Sequence, residues 1–203
     1  MASDHQVVGS NPTESAKFFY IITSTIWKVD MTKHFAYGSN LWFKQMDKRC
    51  DENKRIDKGK LKDYRWIISS RGYANIVESK GDYVIGYVYE LDAGNCTYSA
   101  PDPKSGKETD EECLDWWESV GRGDYYTKEY PTIEVSGEKY ECLVYIDRNN
   151  VDGGVGVLQT IPKPCSVGCE CTYTDRINNG VKDSLSDEDS YVEKYIRKFI
   201  DAN

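Results

Sequence analysis

Two segments of the chain combine residue types that could support acyl-transfer chemistry. The first is the tetrapeptide Tyr37-Gly38-Ser39-Asn40, which follows a predicted strand and precedes a predicted helix. A glycine-containing turn in this position exposes successive backbone N–H groups, which can bind a carboxylate or a developing oxyanion without a cationic side chain. Gly38 favours close approach of a ligand, because a Cβ atom there would obstruct it. An ordinary strand–turn–helix connection accounts for the same residues equally well.

The second segment ends at Glu118, which directly follows Trp116 and Trp117 and precedes the tyrosine pair Tyr125-Tyr126. A carboxylate that aromatic side chains partly desolvate has a raised pKa, and it can act as a general base near neutral pH. The alternative interpretation is a solvated glutamate, because several other acidic residues precede it on the same predicted helix.

Ser39 does not fit the pattern of a hydrolase nucleophile. The G-x-S-x-G pattern is absent, since Tyr37 and Leu41 occupy the positions of the flanking glycines. A hydrolytic triad also needs a base, and His34 lies on the same predicted strand as the turn. We therefore interpret Ser39 as part of the turn.

Two further patterns are weaker indications of a binding site. Gly153-Gly154-Val155-Gly156 lacks both the strand-to-helix context and the Lys-Ser/Thr pair of a phosphate loop, and it is typical of a flexible connection. Cys165, Cys169 and Cys171 could ligate a metal, but their spacing matches no common zinc module. We predict incidental thiols there, and neither a metal nor a cofactor.

Composition excludes several classes of function. The chain has 203 residues and a formal net charge of -8, which argues against nucleic acid as a partner. With two histidines, a histidine-rich metal site cannot be built. The longest apolar run, residues 18–27, is too short to span a bilayer, so no membrane partner is expected. The seven cysteines are odd in number and follow no convincing secretory signal. They predict mostly reduced thiols in a cytoplasmic protein.

Hydrophobic patterning predicts the elements that must position these segments. We expect an N-terminal extension over residues 1–30, for which disorder is one interpretation, and one domain over residues 31–203 with an inserted loop at 92–110. Asn40 is the expected N-cap of the first helix. Turns are expected at Gly81-Asp82 and, joining a hairpin, at Ser136-Gly137. Gly86 predicts a bulge or a close backbone approach. The expected strands are 33–37, 61–69, 73–77, 83–91, 125–135 and 138–146, and the expected helices are 41–49, 110–120, 170–178 and one beginning after 186–189.

The two segments together resemble the motifs of one known family. Residues 34–41 resemble the F-A-Y-G-S-N-L signature of the γ-glutamylcyclotransferases. Residues 114–125 resemble the family's second motif, L-D-x-x-E-G-V-x-x-G-x-Y, with Ser119 in place of the usual glycine. Residues 81–89 and the pattern Tyr173-x-x-x-Ile177-x-x-Gly180 are similar to two further segments of the family. The resemblance covers residues 32–200.

The resemblance implies an α+β fold, a small mixed β-barrel with flanking helices. It also implies an intramolecular reaction, in which the α-amine of a γ-glutamyl group attacks its own γ-carbonyl to give 5-oxoproline and a free amino acid. Glu118 would then be the catalytic general base and acid. The implied substrate-binding residues are His34, Phe35, Ala36, Tyr37, Gly38, Ser39, Asn40, Leu41, Tyr125 and Tyr173.

The residues suit this chemistry in physical terms. Ring closure unites nucleophile and electrophile in one molecule, and correct orientation alone can contribute about 7 kcal/mol or more. The remaining tasks are moving protons and stabilising an oxyanion, which one carboxylate and a row of backbone N–H groups can perform.

The turn also bears on the substrate. Glutathione-specific relatives usually carry Y-G-S-L and γ-glutamylamine cyclotransferases Y-G-T-L, so Asn40 points to the general γ-glutamyl branch, with a small γ-glutamyl compound as the partner. One alternative is a cyclotransferase for γ-glutamyl adducts of a specialised metabolite or amine, with the 92–110 loop reshaping the leaving-group pocket. Another is a non-catalytic γ-glutamyl-binding module on the same scaffold. We expect a monomer or a homodimer.

Overall fold

The structure, a computed structural model, describes residues 31–93, 109–121, 123, 125–151, 171–186 and 190–202. The extension at 1–30, most of the 92–110 loop, Gly153 to Gly156, and Cys165 and Cys169 lie outside these residues. In chain order, the elements are β1 (Lys33–Ala36), a 3-10 turn (Ser39–Leu41), α1 (Phe43–Arg49), β2 (Lys54–Ile68), β3 (Ala74–Glu90), α2 (Asp110–Trp117), β4 (Thr127–Glu129), β5 (Thr132–Val135), β6 (Glu138–Glu141), β7 (Val144–Ile146), α3 (Tyr173–Gly180), and two π-helical segments (Val181–Leu185 and Val192–Ile196).

The described strands form two open sheets. The larger has the order β1-β3-β2-β5-β6 and the smaller pairs β4 with β7, all with antiparallel neighbours. A parallel bridge between His34 and Leu143 links the sheets, with Phe35 N–H donating to the Leu143 carbonyl at 2.9 Å. The α+β class is confirmed, but the described strands do not close into a barrel.

The two longest strands, β2 and β3, pair with each other inside the larger sheet. The sequence predicted a turn at Gly81-Asp82, yet β3 runs through this point from Ala74 to Glu90. The pairing shifts register between Lys62 and Tyr64, so extra residues of β3 form a bulge. Gly81 has a φ of +87°, and Asp63 accepts its N–H at 2.8 Å. The local turn signal therefore produced a bulge, because both sides continue in the same ladder.

The close approach predicted at Gly86 is confirmed. A Cβ atom there would lie 2.3 Å from the Ala36 carbonyl oxygen and 2.7 Å from the Phe35 ring. The glycine thus lets β3 pair closely with β1, the strand that leads into the Gly38 turn. The hairpin predicted at Ser136-Gly137 is also confirmed, with positive φ at both residues, as a type I′ connection requires.

The first helical region differs from the prediction. Asn40 does not cap α1; the residue before α1 is Trp42, which makes no side-chain cap, and Asn40 lies inside the 3-10 turn. The α2 and α3 helices begin instead with capping boxes, from Thr109 with Glu112 and from Thr172 with Asp175. The predicted C-terminal stripe is confirmed, since Val192, Tyr195, Ile196 and Ile200 are buried in the main core and Phe199 packs against it.

Gly180 lies within the helical backbone rather than after a helix end, with a φ of -63°. A Cβ atom there would lie 2.6 Å from the Leu41 Cβ and 2.8 Å from the Trp42 nitrogen. The glycine therefore brings the helix that carries Tyr173 against the turn that carries Asn40.

We expect Gly180→Ala to lower the free energy of unfolding by about 1–3 kcal/mol, because overpacking outweighs the gain in helix propensity. Urea unfolding would measure the change. Asn179→Ala, at the neighbouring half-buried position, receives the same helix-favouring residue and serves as the control. A Gly180→Ala protein as stable as the wild type would contradict the close-packing argument.

The cysteines correct another prediction. Cys113 in α2 and Cys171 just before α3 are disulfide-bonded, whereas Cys50 and Cys142 are buried free thiols. The expectation of mostly reduced thiols is therefore wrong for Cys113 and Cys171, and Cys171 is not available as a metal-binding thiolate. Disulfide formation depends on which residues meet in space, and the spacing of cysteines along the chain does not contain that information.

No described helix has the length and apolar character needed to cross a membrane.

Candidate active site

A cavity at the junction of the two sheets brings most of the predicted site residues together. It is lined by His34, Phe35, Ala36, Tyr37, Gly38, Ser39, Asn40, Ala74, Glu118, Tyr126, Tyr145 and Tyr173. These residues come from β1 and its turn, the start of β3, the end of α2, the chain around β4 and β7, and the start of α3. The site therefore depends on the packing of elements from both sheets and from two helices.

Strand β1 and the Gly38 turn form one wall of the cavity. The indole Nε1 of Trp66 donates to the Tyr37 carbonyl at 2.9 Å, and the Tyr37 hydroxyl donates to the Tyr145 carbonyl at 2.5 Å. Within the described residues, the backbone N–H groups of Gly38, Ser39 and Asn40 donate no hydrogen bond. The turn thus has unsatisfied N–H donors, and the hydrogen bonds of the preceding Tyr37 fix the backbone that carries them.

Glu118 terminates α2 and enters the cavity opposite this turn. Its N–H bonds the Leu114 carbonyl at 2.8 Å, and the next residue, Ser119, has a φ of +60°. Left-handed backbone at this position suits a glycine, which is the residue in the motif that residues 114–125 resemble. The carboxylate oxygen Oε1 accepts a hydrogen bond from the Asn40 side-chain amide at 3.3 Å. The base candidate and the predicted cradle are therefore in direct contact.

A buried cation also contacts Glu118. Nη1 of Arg49, at the end of α1, donates to Glu118 Oε1 at 3.0 Å and to Asn40 Oδ1 at 2.7 Å. The two side chains of this ion pair are 8% and 19% exposed. Desolvation lowers the pKa of Arg49, and the charge of Glu118 opposes that shift. The pair is thus largely withdrawn from water. The electrostatic attraction between the two charges is stronger in this buried environment than it would be in water.

The aromatic walls are tyrosines, and of the aromatic side chains predicted around Glu118 the cavity lining includes Tyr126 but neither Trp116 nor Trp117. Trp117 instead lies beside Arg49, with the guanidinium carbon 5.0 Å from its ring centroid. Burial raises the pKa of Tyr37, Tyr126, Tyr145 and Tyr173, so their hydroxyls stay protonated throughout the neutral range.

The tyrosine hydroxyls differ in what they can offer a ligand. Tyr126 donates to the Ala74 carbonyl at 3.2 Å, and Tyr145 donates to Asp115 at 2.7 Å. Tyr173 differs, because its oxygen accepts from the Ala74 N–H at 3.0 Å. The Tyr173 hydroxyl hydrogen is thus available to a ligand.

Two predicted substrate-binding residues do not line the cavity. Tyr125 is 45% exposed and stacks under Arg71, with the guanidinium carbon 3.8 Å from its ring centroid. Its neighbour Tyr126 faces the cavity, because consecutive side chains of an extended chain point to opposite sides. Leu41 is fully buried in the core beneath the turn, and it supports the site from below.

His34 is buried beside the cavity between two tyrosines. Its ring centroid lies 6.5 Å from that of Tyr89 and 5.6 Å from that of Tyr145. Nδ1 lies 3.1 Å from the Leu143 carbonyl, which can only accept, so Nδ1 carries the hydrogen. Burial lowers the pKa of His34 to about 4, and the imidazole is neutral at physiological pH.

We expect His34 to make the protein sensitive to acid. Its folded pKa of about 4 lies below the ordinary 6.5, so the unfolded chain binds the proton more tightly. Its contribution to stability is complete above pH 6.5 and is lost as the pH falls toward 4. Between pH 7 and 4, the wild type should lose about 3 kcal/mol more unfolding free energy than His34→Gln.

Urea unfolding at several pH values would measure this difference, with His5→Gln as the histidine control. The subtraction is needed because burial raises the pKa of Asp110 to about 6, which has the opposite effect on stability as the pH falls. Parallel pH dependences for the wild type and His34→Gln would refute the role of His34.

Sequence reasoning missed the polar network around the turn. The Gln45 amide nitrogen donates to Ser39 Oγ at 2.8 Å and to Asn40 Oδ1 at 3.2 Å, and Arg49 completes the set of contacts. Gln45 and Arg49 lie one helical turn apart on the buried face of α1, which also carries Met46, and the i, i+4 spacing of these two polar residues is the sequence signal that could have indicated them. Among the described residues, no group of three or more histidine, cysteine or acidic side chains could hold a metal ion.

Comparisons with solved structures find the same fold elsewhere. A structure described as a gamma-glutamyl cyclotransferase aligns with a TM-score of 0.56 and 22% identity, over 86% of this chain and 90% of that chain. An uncharacterized protein from Homo sapiens aligns with the same values. YkqA from Bacillus subtilis aligns with a TM-score of 0.56 and 19% identity, over 88% of this chain and 56% of its own. At these identities the likeness concerns the fold.

Sequence comparison assigns the family. No curated protein matches the chain significantly. The sequence model of the family described as "Gamma-glutamyl cyclotransferase, AIG2-like" matches residues 34–160, more than half of the chain, and this match includes the Gly38 turn and Glu118. The chain therefore belongs to the AIG2-like gamma-glutamyl cyclotransferase family.

Proposed function

We propose that this protein is a γ-glutamylcyclotransferase that converts γ-glutamyl amino acids and dipeptides to 5-oxoproline and the free amino acid. The observation that carries the proposal is the direct contact between the Glu118 carboxylate and the Gly38–Asn40 turn across one cavity. A general base and a row of free N–H donors are the two components that intramolecular aminolysis requires.

The proposed reaction begins with binding of the substrate's γ-glutamyl group against the turn. The N–H groups of Gly38, Ser39 and Asn40 hold its carboxylate and the developing oxyanion, and the Tyr173 hydroxyl adds a further donor. A Cβ atom added to Gly38 would lie 3.6 Å from Tyr173 Oη. The Gly38 turn and the Tyr173 hydroxyl therefore border the same small space. Folding the substrate in this way brings its amine to its own γ-carbonyl.

Glu118 then manages the protons. It removes one proton from the α-ammonium, and the free amine attacks the γ-carbonyl to give a tetrahedral intermediate. Glu118 passes that proton to the leaving nitrogen as the C–N bond breaks, and it accepts the second proton of the new ring nitrogen. The second proton passes to water, and the released amine takes up a proton from solution. Atoms and charge balance without a covalent enzyme intermediate.

The buried tyrosines keep water away from this exchange. Tyr37, Tyr126, Tyr145 and Tyr173 surround the carboxylate and remain neutral. Exclusion of water strengthens the hydrogen bonds to the oxyanion and limits competing hydrolysis.

A panel of γ-glutamyl compounds that differ only in the leaving group tests the proposal. We expect γ-glutamyl-alanine to give 5-oxoproline and alanine in equal amounts, detected by chromatography. Faster turnover of γ-glutamyl amines than of γ-glutamyl amino acids would favour a specialised-amine enzyme instead. Binding of the whole panel by calorimetry, without any 5-oxoproline, would identify a non-catalytic binding module.

A further inference from the structure

Arg49 is a buried arginine at the end of α1. Its side chain is 8% exposed, and its guanidinium carbon lies 5.0 Å from the Trp117 ring centroid. One nitrogen, Nη1, donates both to Glu118 Oε1 at 3.0 Å and to Asn40 Oδ1 at 2.7 Å. A single buried cation therefore joins the proposed base to the proposed substrate cradle.

The two oxygens of Glu118 have different surroundings. Oε1 accepts from Arg49 Nη1 and from Asn40 Nδ2. Among the described residues, Oε2 has no hydrogen-bond partner, although the side chain lines the cavity and is 19% exposed. Oε1 is held by two donors, and Oε2 is accessible to a ligand that enters the cavity.

We propose that Arg49 is a positioning residue, which fixes Glu118 through Oε1 and leaves Oε2 as the atom that exchanges protons with the substrate. This inference rests on the proposed function. The proton from the α-ammonium forms an O–H bond at Oε2, and that bond breaks when the leaving nitrogen receives the proton. Oε1 keeps its hydrogen bond from Arg49 throughout.

Arg49 has a second effect through Asn40. Because an arginine only donates, it requires the Asn40 oxygen to face it, and this orients the Asn40 amide nitrogen toward Glu118. Gln45 donates to the same Asn40 oxygen at 3.2 Å and reinforces the orientation. Arg49 thereby positions two side chains, the Glu118 carboxylate and the Asn40 amide at the end of the substrate cradle.

The other ionisable groups near Glu118 do not supply an equivalent charge. The cavity tyrosines are neutral because burial raises the pKa of each one. His34 is neutral as well. Asp115 and Asp147 are acidic residues and supply no positive charge. The guanidinium carbon of Arg176 lies 5.5 Å from the Tyr173 ring centroid, and no ion pair joins Arg176 to Glu118 within the described residues. Within the described part of the chain, Arg49 is the cation in contact with Glu118.

Two replacements of Arg49 test the effect of its charge and the effect of its position separately. In Arg49→Met, we expect the acidic limb of the kcat/KM pH profile to move up by about one pH unit or more, because the opposite charge is lost. We also expect kcat to fall by about 100-fold, since a small displacement of a catalytic group has an effect of that size. In Arg49→Lys, the charge remains, so the limb should move by less than half as much while kcat still falls.

Arg55→Met is the matched control. Arg55 is 42% exposed and pairs with Asp47 at 2.5 Å, away from the cavity. Its pH profile should superimpose on that of the wild type. A folded Arg49→Met protein with the wild-type limb and kcat would overturn the proposal. If Arg49→Met does not fold, Arg49→Lys decides, because an unchanged kcat would equally overturn it.

A measurement without substrate separates this inference from the proposed function. Carbon-13 NMR of the Glu118 side-chain carboxyl follows its ionisation directly as the pH is varied. A midpoint that is higher in Arg49→Met than in the wild type supports the role of Arg49, even if the wild type makes no 5-oxoproline. Coincident midpoints overturn it, whatever the enzyme turns over.

Discussion

Replacing Glu118 by glutamine should reduce the formation of 5-oxoproline by about 100- to 10,000-fold, the range typical of a lost general base and acid. Glutamine keeps the shape of the side chain, and its oxygen can still accept from Arg49 Nη1. Its amide nitrogen would then occupy the place of Oε2, where it can neither accept a proton from an ammonium group nor donate one readily. We expect kcat to fall much more than KM rises, and steady-state assays would show this.

Glu112→Gln is the control for that variant. Glu112 lies on the same helix, and its carboxylate closes the capping box with Thr109, which glutamine can also close. The substitution removes the same charge from α2 and should leave turnover near the wild-type level. Substantial turnover by a folded Glu118→Gln protein would mean that another group moves the protons.

Replacing Gly38 by valine should reduce kcat/KM by about 100-fold or more, because the side chain would occupy the space meant for the substrate. A Cβ atom there would already lie 3.3 Å from the Ala74 Cβ and 3.6 Å from Tyr173 Oη. The two methyl groups of valine extend further and cover the N–H donors of the turn. Isothermal calorimetry with a γ-glutamyl ligand should show the loss as weakened binding.

The control for Gly38 is Gly137→Ala in the β5–β6 hairpin. Gly137 has a φ of +91°, and a Cβ atom there would have no described neighbour within 4 Å, so its replacement strains the backbone far from the cavity. Its stability should fall while its kcat/KM stays near that of the wild type. Gly38→Ala should lie between the wild type and Gly38→Val, and equal binding by all three proteins would remove the steric argument for the cradle.

The parts of the fold that were predictable are those in which local pattern and final environment agree. Strand β1, the helix before Glu118, the Ser136-Gly137 hairpin and the C-terminal apolar stripe were expected from the sequence. Each depends on neighbouring residues, either through alternation, through helical periodicity or through a turn that demands positive φ. The errors arose where distant residues decided the outcome, as at Gly81, where β2 held the chain in the ladder.

The candidate site divides in the same way. The glycine turn and the glutamate were predictable from residue order, because their motifs are short and contiguous. The packing of the domain brings the two together, places Tyr126 rather than Tyr125 in the cavity wall, and pairs Arg49 with Glu118. The ion pair between Arg49 and Glu118 is a contact between segments far apart in the chain, and the disulfide at Cys113 likewise depends on which cysteine approaches it in space. Residue type and spacing do not specify such contacts, because the packing of the whole domain brings the partners together.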